Sequence, residues 1–234
     1  MTQLSGLTWT ELPPRSLLVV PLGSCEQHGP HLPLDTDTRI AVALAEGLAE
    51  RDERVVVAPA ITIGASGEHQ SFPGTLSIGT LALETTLVEL ARSALPPPGS
   101  PHPSPFDAVL LLNGHGGNVE ATSRARALLV EEGRDVRVWH PRIPDGDSHA
   151  GRTETSMLLH LSPQVVRTDR IEPGSTARWR EIGDTVVARG LAAVTPNGVL
   201  GDPTGATAAE GAALVERLVA ALTDEVRGWW PPGT

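Results

Sequence analysis

The sequence predicts an α/β protein in which a mostly parallel central sheet lies between two layers of helices, a three-layer αβα arrangement. Short aliphatic runs alternate with segments that carry apolar residues at helical spacing, the pattern of strands joined by helices. Hydrophobic residues make up 40% of the chain, whereas aromatic residues make up 3% and tyrosine is absent, so an aliphatic core is expected. The alternation resumes unchanged after its proline-rich interruption, and we predict a single domain over residues 1–234.

The first half of the chain contains two predicted strands and two predicted helices. Residues 16–22 (SLLVVPL) are an apolar run followed by glycine and serine, typical of a buried strand that ends at a functional loop. Residues 35–52 begin with Asp and Thr, which can cap a helix, and then place alanine and leucine at helical spacing. Residues 54–61 (RVVVAPAI) predict a second strand, residues 62–79 a long glycine-rich loop, and residues 80–95 a second helix.

The second half begins with a proline-rich connection at residues 96–105, which a helix cannot continue through. Residues 106–113 (FDAVLLLN) predict a strand, residues 116–133 a helix that opens with glycine, and residues 134–140 a further strand. Residues 206–226 predict a closing amphipathic helix. Ligands of such sheets bind beyond the carboxyl ends of the strands, which is where the polar clusters of this sequence fall.

Composition argues against several classes of partner. The formal net charge of −10 would repel phosphate backbones and anionic surfaces, so neither nucleic acid nor a membrane is expected. The sequence has no run of 18 apolar residues and no basic region followed by an apolar stretch at its start, so we expect a cytoplasmic protein. Cys25 is the only cysteine, so any metal must be held by nitrogen and oxygen ligands.

The first polar cluster is GSCEQHGPHLPLDTD at residues 23–37. Glu26 and His28 lie two residues apart, so in an extended segment their side chains point to the same side. Asp37 can approach them if the chain turns between residues 29 and 33. A solvated loop with a capping aspartate explains each residue singly, but the whole cluster favours an ion site.

The second cluster is NGHGGN at residues 113–118, directly after a predicted strand. Glycines on both sides of His115 permit close backbone approach. They also free amide donors that could hold an anion or a developing oxyanion, so Gly116 and Gly117 are candidate substrate contacts. A lone histidine after a strand is often a packing residue, but this setting favours a functional one.

The third cluster is SHAGRTETS at residues 148–156, where His149 and Glu154 flank a turn of small residues. An ordinary helix start, with Thr153 as N-cap and Glu154 near the positive end of the dipole, explains this segment taken alone. An ion site built from the first two clusters would still lack a ligand, and this favours a functional role for the third cluster.

Together the clusters offer imidazole and carboxylate groups for a divalent ion such as Zn²⁺, Fe²⁺ or Mn²⁺. The candidate ligands are Glu26, His28, Asp37, His115 and Glu154. By formal charge, one ion leaves the three carboxylates at about −1 and two ions leave them at about +1. A positive centre better acidifies water and polarises a carbonyl, so two ions bridged by Asp37 are preferred, with one ion as the alternative.

This combination resembles the creatininase family of metal-dependent amidohydrolases. The three clusters occur in the family's order, with Asp37 nine residues after His28 and His149 five residues before Glu154. The segment GEHQSFPGTLS at residues 67–77 is also similar to a family segment. The resemblance implies an αβα fold, one or two divalent ions (zinc or iron(II) first, then manganese), a homo-oligomer such as a hexamer or octamer, and hydrolysis of a carbon–nitrogen bond.

The resemblance also implies roles for individual residues. By position, the metal ligands correspond to Glu26, His28, Asp37 and His115. Creatininase itself has a further glutamate ligand where this chain has Gly117, and Glu154 is expected to take its place. His149 matches a family histidine that moves protons, and it forms the expected catalytic pair with Glu154. Position near the clusters, rather than the resemblance, makes His69 and Arg152 candidate substrate contacts, and the candidates to orient ligands are His31, Asn113 and Asn118.

Within the family, the first and third clusters and NGVLGDPTGAT at residues 197–207 are most similar to a subfamily that acts on a modified precursor peptide. The resemblance implies removal of a C-terminal Val-Tyr dipeptide during cofactor biosynthesis. Arg152 and Arg39 are candidates to bind the terminal carboxylate by proximity to the motifs, but for each the favoured interpretation is a surface arginine. Two alternatives remain: hydrolysis of a small cyclic amide or formamide, and a metal-stabilised scaffold that binds a peptide without cutting it.

Overall fold

The computed structural model describes residues 2–97, 99–101, 104–144 and 146–231, and its centre is a five-stranded sheet. The strands are β1 (Thr2–Gln3), β2 (Ser16–Leu22), β3 (Val55–Val57), β4 (Phe106–Asn113) and β5 (Val136–Trp139). They lie in the order β1-β3-β2-β4-β5, and every neighbouring pair is parallel. The predicted parallel sheet is confirmed.

Helices cover both faces of this sheet. In the described residues they are α1 (Thr36–Arg51), α2 (Gly79–Ala94), α3 (Val119–Glu131), α4 (Arg152–Leu161), α5 (Trp179–Arg189) and α6 (Ala208–Trp229). Helices α1, α4 and α6 pack on one another over one face, and α2 and α3 pack together over the other. The predicted three-layer αβα arrangement is therefore confirmed.

The side chains of β2 show why the sequence builds two cores. Leu17 and Val19 join the core under α1, α4 and α6, whereas Leu18 and Val20 join the core under α2 and α3. Successive residues of a strand point to opposite faces, so a strand covered on both sides must be apolar throughout. The run at residues 16–22 meets that requirement, and all seven of its residues are buried.

The second predicted strand, residues 54–61, is shorter in the structure. Regular pairing covers Val55–Val57, and after an interruption a single bridge joins Ile61 to Leu22. Pro59 lies in the interruption and has no N–H to donate to a neighbouring strand. The prediction was therefore right about the start of this strand and wrong about its length.

Other differences concern helices. The predicted helix at residues 116–133 begins with a 3₁₀ turn, Gly116–Asn118, and becomes α3 at Val119. Helix α4 begins at Arg152, so Thr153 lies within its first turn and is not its N-cap. Helix α5 was not predicted. Its sequence contains a glycine, and only two of its residues are buried, so the helical pattern of apolar residues is weak.

The proline-rich connection between α2 and β4 is described in part, since residues 98, 102 and 103 lie outside the described ranges. Where it rejoins the sheet, Ser104 Oγ accepts a hydrogen bond from the Phe106 N–H at 3.1 Å. Within the described ranges, no helix combines the length and the apolar character that crossing a membrane requires.

Candidate metal centre

The polar clusters meet at the carboxyl ends of β2 and β4. Leu22 and Asn113 end these neighbouring strands and are paired in register, so the loops that follow leave the sheet side by side. The first turns of α1 and α4 approach the same place. The side chains brought together there are Glu26, His28, Asp37, His115 and Glu154.

The loop at residues 23–37 folds back and returns Asp37 to the end of β2. Gly23 allows close approach, because a Cβ atom there would lie 2.0 Å from Thr38 Oγ1. Gly29 has a φ of +64°, a conformation that glycine adopts without strain. The turn that the ligand cluster requires thus begins at Gly29.

Asp37 is buried between two imidazoles. Its Oδ1 lies 3.2 Å from His28 Nε2 and its Oδ2 lies 3.1 Å from His115 Nδ1. The Ser24 hydroxyl donates a hydrogen bond to Oδ2 at 2.8 Å. Burial opposes the charged form, but the neighbouring His28 and His115 overcome it and hold the pKa of Asp37 well below its usual value. This carboxylate is therefore ionised and directed at both histidines.

The possible ligand atoms form two groups that share Asp37. The inner group is Glu26, Asp37 and His115, the outer group is His28, Asp37 and Glu154, and within each group the atoms lie within 4.8 Å of one another. Glu26 Oε2 is 3.1 Å from His115 Nε2, and Glu154 Oε2 is 3.8 Å from His28 Nε2. This arrangement suits two ions with Asp37 between them.

Glu26 indicates most directly that a cation belongs in this centre. Its side chain is fully buried, and among the described residues neither carboxylate oxygen accepts a hydrogen bond. A buried carboxylate without hydrogen bonds is costly, and a bound cation would compensate it. The surrounding nitrogen and oxygen donors fit zinc, iron(II) or manganese.

The ring of His28 is oriented in the way expected of a ligand. Its Nδ1 donates to the backbone carbonyl of Glu26 at 3.2 Å, which leaves Nε2 facing Asp37 and Glu154. Burial lowers the pKa of His28, but the attraction of Asp37 and Glu154 overcomes this and raises it to about 10. Without a metal, a proton on Nε2 therefore takes the place of the ion.

Gln27 determines which nitrogen of His149 carries a proton. The Gly29 N–H donates to Gln27 Oε1 at 2.9 Å, which identifies the other terminal atom as the amide nitrogen. The two hydrogens of that nitrogen go to the Gly198 carbonyl and to His69 Nδ1, each at 3.1 Å. His149 Nε2 lies 3.0 Å from the same nitrogen, but both of its hydrogens are assigned, so His149 Nε2 donates to the Gln27 backbone carbonyl at 2.9 Å and its Nδ1 is unprotonated.

The unprotonated Nδ1 of His149 faces the ligand groups. It lies 3.8 Å from Glu26 Oε1, and His149 forms a third group of donor atoms with Glu26 and His28. Burial, together with His28 and His69, holds the pKa of His149 well below its usual value. His149 is neutral at pH 7 and presents a lone pair to the centre, as a general base must.

Two other histidines lie behind the ligands. His69 Nε2 is 3.4 Å from Glu26 Oε1, and burial lowers the pKa of His69 to about 4 although Glu26 opposes this. His31 Nε2 lies 2.8 Å from Thr155 Oγ1, next to Glu154 in the chain. The sequence analysis expected His69 to contact the substrate. In the structure His69 lies beside the candidate ligand Glu26 and does not line the cavity next to the ligand groups.

Asn113 and Asn118 hold the loop that carries His115. Asn118 Oδ1 accepts the Ala65 N–H at 2.9 Å, and its Nδ2 donates to the Gly23 carbonyl and to Asn113 Oδ1, each at 3.0 Å. Asn113 Oδ1 also accepts the His115 N–H at 3.2 Å. This network ties the His115 loop to β2 and to the loop after β3.

The two glycines of this loop have different surroundings. Gly116 is exposed beside His115, and a Cβ atom there would meet no atom within 4 Å. At Gly117 a Cβ atom would lie 2.2 Å from the Ala65 carbonyl oxygen, 2.5 Å from His115 Nε2 and 2.6 Å from Glu68 Oε1. Of these two expected substrate contacts, Gly116 borders the cavity next to the ligand groups and Gly117 does not.

The two arginines considered for the substrate carboxylate have partners elsewhere. Arg39 pairs with Asp35 at 2.8 Å. Arg152 pairs with Glu210 at 2.8 Å and lines a neighbouring cavity of about 530 Å³. Neither arginine borders the cavity at the ligand groups.

The centre opens on a cavity of about 370 Å³. Its lining includes Asp37, Gly116, His140, Asp147, His149 and Glu154. His140, which follows β5, and Gln27, which orients His149, were not among the predicted site residues. The position of His140 at the end of a predicted strand is a signal that could have identified it; an uncharged glutamine carries none.

Comparisons with known proteins agree with this geometry. A sequence model of the family described as creatininase, creatinine amidohydrolase, matches residues 5–226. The mycofactocin precursor peptide peptidase of Mycolicibacterium smegmatis is 52% identical over 222 residues, which cover 92% of this chain and 86% of that protein. The creatinine amidohydrolase of Pseudomonas putida is 28% identical, with 97% and 96% of the two chains covered. A structure of creatininase with Mn superposes with a TM-score of 0.80 at 26% identity and covers 99% of each chain.

Proposed function

The chain belongs to the creatininase family, and we propose that it is the metal-dependent hydrolase that cuts the mycofactocin precursor peptide. The observation that carries this proposal is the pair of ligand groups that share Asp37 and open on a cavity of about 370 Å³. Such a volume is typical of ligand sites and can take the end of a peptide. The name of the 52% identical relative indicates which peptide that is.

The finer part of the proposal is the bond that is cut. We infer that the enzyme releases the C-terminal Val-Tyr dipeptide of the modified precursor, as the motif resemblance implies. The products are a shortened peptide with a new carboxylate and a dipeptide with a free amine.

The proposed ligands are the inner and outer groups, which would hold two divalent ions, with zinc, iron(II) and manganese as candidates. Ions of this kind polarise a carbonyl and lower the pKa of water when they are bound. The chain supports them with oriented rings, since His28 donates through Nδ1 to a backbone carbonyl and keeps Nε2 for the centre. Assembly into a homo-oligomer and a cytoplasmic location remain predictions.

We assign proton transfer to His149. His149 borders the cavity, its unprotonated Nδ1 lies 3.8 Å from Glu26 Oε1, and its Nε2 is held by the Gln27 carbonyl. Nδ1 takes a proton from the attacking water and gives it to the amine nitrogen of the departing dipeptide. The bond from oxygen to the carbonyl carbon forms and the carbon–nitrogen bond breaks.

Glu154 and Gly116 complete the proposed site. Glu154 Oε2 accepts the Ala150 N–H at 2.6 Å and faces His28, which suits a ligand of the outer group. Gly116 lies in the cavity wall beside His115, where its amide can stabilise negative charge on the carbonyl oxygen. Gly117 stays the second candidate amide of this hypothesis, although of the two glycines only Gly116 borders the cavity.

The test is incubation of the metal-loaded protein with the modified precursor peptide that ends in Val-Tyr, followed by mass spectrometry. We expect release of an intact dipeptide, abolished by a chelator and restored by added metal. His149→Gln should lower turnover at least about 100-fold, since general acid–base catalysis contributes about 10²–10⁴-fold. His160→Gln is the matched control, because His160 is exposed on α4 away from the cavity.

Other outcomes would redirect the proposal. An untouched peptide together with hydrolysis of a lactam or formamide would assign the enzyme to small amides. A protein that binds metal and peptide but hydrolyses no amide would be the non-catalytic scaffold. Release of tyrosine alone would keep the peptide and overturn the Val-Tyr assignment.

A further inference from the structure

His140 is a half-buried histidine at the cavity that the proposed chemistry does not use. It follows β5 directly and borders the same cavity as His149 and Glu154. It is not in either ligand group. Its contacts show what it can offer to a substrate.

The proton on His140 is located by Asn113. Asn113 Oδ1 accepts the His115 N–H at 3.2 Å and its Nδ2 donates to the His115 carbonyl at 2.7 Å, so the amide can have only one orientation. The same Nδ2 lies 3.0 Å from His140 Nδ1. That nitrogen therefore accepts, and the neutral ring carries its proton on Nε2.

The charge around the cavity favours this place for an anion. Asp37, Asp147 and Glu154 line the cavity, and no arginine or lysine does so among the described residues. With Asp37 and Glu154 assigned to the ions, Asp147 is the carboxylate of the described lining outside the ligand groups, and a substrate carboxylate away from the ions needs a donor on another part of the wall. Arg142 is exposed two residues after His140, has no ion pair or hydrogen bond within the described residues, and adds positive charge on the His140 side.

The separation between the two regions suits a dipeptide. Asn113 Nδ2 bonds both His140 and the backbone carbonyl of His115, so one amide group connects His140 with the residue that supplies an inner ligand. Two extended residues span about 7 Å, so the end of a two-residue leaving group lies within a short distance of the bond that is cut. A donor beside the centre, but outside the ligand groups, is where that end would be recognised.

We propose that His140 binds the C-terminal carboxylate of the peptide through Nε2–H, and that Arg142 assists it; this inference rests on the proposed function. It explains how an acidic protein selects the free end of a chain. In this proposal Arg152 does not bind the substrate carboxylate, because it is paired with Glu210.

The test compares two precursor peptides, one with a free C-terminal carboxylate and one with a C-terminal amide. The wild-type enzyme should prefer the free acid in kcat/KM, mainly through KM, by about tenfold to hundredfold, the usual worth of a hydrogen bond to a charged group. His140→Asn keeps an acceptor for Asn113 but lacks the donor at the Nε2 position, so it should lose most of this preference. His140→Gln places an amide N–H near that position and should recover part of it.

Metal content separates substrate binding from a purely structural role. Both His140 variants should keep the metal stoichiometry of the wild-type protein. A His140→Asn protein that loses metal and both activities equally would show that His140 only positions Asn113 and His115, which would overturn the inference.

Two further results distinguish this inference from its alternatives. Loss of the preference in Arg152→Gln but not in His140→Asn would move the carboxylate site to Arg152. Equal cleavage of both peptides by the wild type would refute carboxylate recognition while leaving the proposed function intact. Cleavage of neither peptide would overturn the proposed function itself, and the inference with it.

Discussion

The inner and outer ligand groups differ in what holds them. Glu26 and His115 of the inner group follow the ends of β2 and β4, and their side chains are at most 5% exposed. Glu154 of the outer group comes from α4 and is 19% exposed. Asp37, from α1, is common to both groups. The inner group therefore takes its two unshared ligands from loops directly after neighbouring strands, whereas the outer group combines His28 of the first loop with Glu154 of a separate helix.

This difference has a consequence for metal binding. Sites built on rigid elements lose little freedom when an ion binds, so the inner group should bind its ion more tightly. The outer group contains Glu154, the most exposed of these carboxylates, and each group must release a proton from its own histidine, His28 or His115, before an ion can bind. A tight inner ion and an exchangeable outer ion are expected.

Removing one carboxylate from each group gives the largest expected effect. Glu26→Gln should weaken the inner ion more than about 100-fold, since even residues that only support ligands contribute 10–100-fold. Glu154→Gln should remove the outer ion and leave the inner one bound. Metal analysis after gel filtration, with both variants in the same buffer, measures the difference. Equal loss of both ions from either variant would contradict the distinction between the groups.

The packing around Gly117 offers a second test, aimed at the inner group. Gly117→Ala must displace the Ala65 carbonyl or the His115 ring, and overpacking of this kind costs about 1–3 kcal/mol. Thermal unfolding should show lower stability, and metal titration a weaker inner ion. Gly116→Ala is the matched control because its Cβ meets no atom. If the two variants behave alike, the close packing of the His115 loop is not important for metal binding.

The pH dependence of metal binding sharpens the comparison further. The pKa of His28 is raised from 6.5 to about 10, so the metal-free protein is stabilised by this proton below pH 6.5 and loses that stability as pH rises toward 10. Burial raises the pKa of Glu154 to about 7 despite His28, and its ionisation above pH 4.5 acts in the same direction. Metal-free stability should therefore fall with rising pH while metal affinity rises, about tenfold per pH unit for each proton released.

Unfolding temperatures with a chelator and with metal, measured from pH 6 to pH 9, test this prediction. The difference between the unfolding temperature with metal and the unfolding temperature with chelator should increase with pH. His28→Gln cannot carry the proton and serves as the control, because its metal-free stability should change less with pH. A constant difference would show that the ions bind without release of a proton from His28 or His115.

The sequence was informative where the signal is local. Strand β2 must be apolar throughout because both faces are covered, and the run at residues 16–22 shows this directly. Glu26 and His28 lie two residues apart in one loop, so their common direction follows from spacing. The central strands and the first candidate ligand cluster could be predicted for these reasons, whereas the order of the strands in the sheet and the short strand β1 were not predicted.

The sequence was silent where contacts join distant segments. Gln27 contacts His149 across 122 residues, and His140 contacts Asn113 across 27. Nothing near Arg152 in the chain shows that it pairs with Glu210, 58 residues away, so its expected role in substrate binding could not be judged from spacing. Tertiary packing decides which polar side chains are free to act.

The support of α4 provides the test with the smallest expected effect. Asp147 accepts the N–H groups of Arg152 and Thr153 and so anchors the first turn, which carries Glu154. Asp147→Ala should cost about 0.5–2 kcal/mol, as loss of a helix cap does, and weaken the outer ion up to about tenfold with little change in the inner ion.

The matched control is Asp202→Ala. Asp202 caps a 3₁₀ turn by accepting the Thr204 N–H at 3.0 Å, and it borders the neighbouring cavity instead of the centre. Its loss should lower stability without changing the affinity of either ion in a calorimetric titration. Equal weakening of both ions in Asp147→Ala would mean that α4 supports the whole centre, because Asp37 transmits its displacement to the inner group.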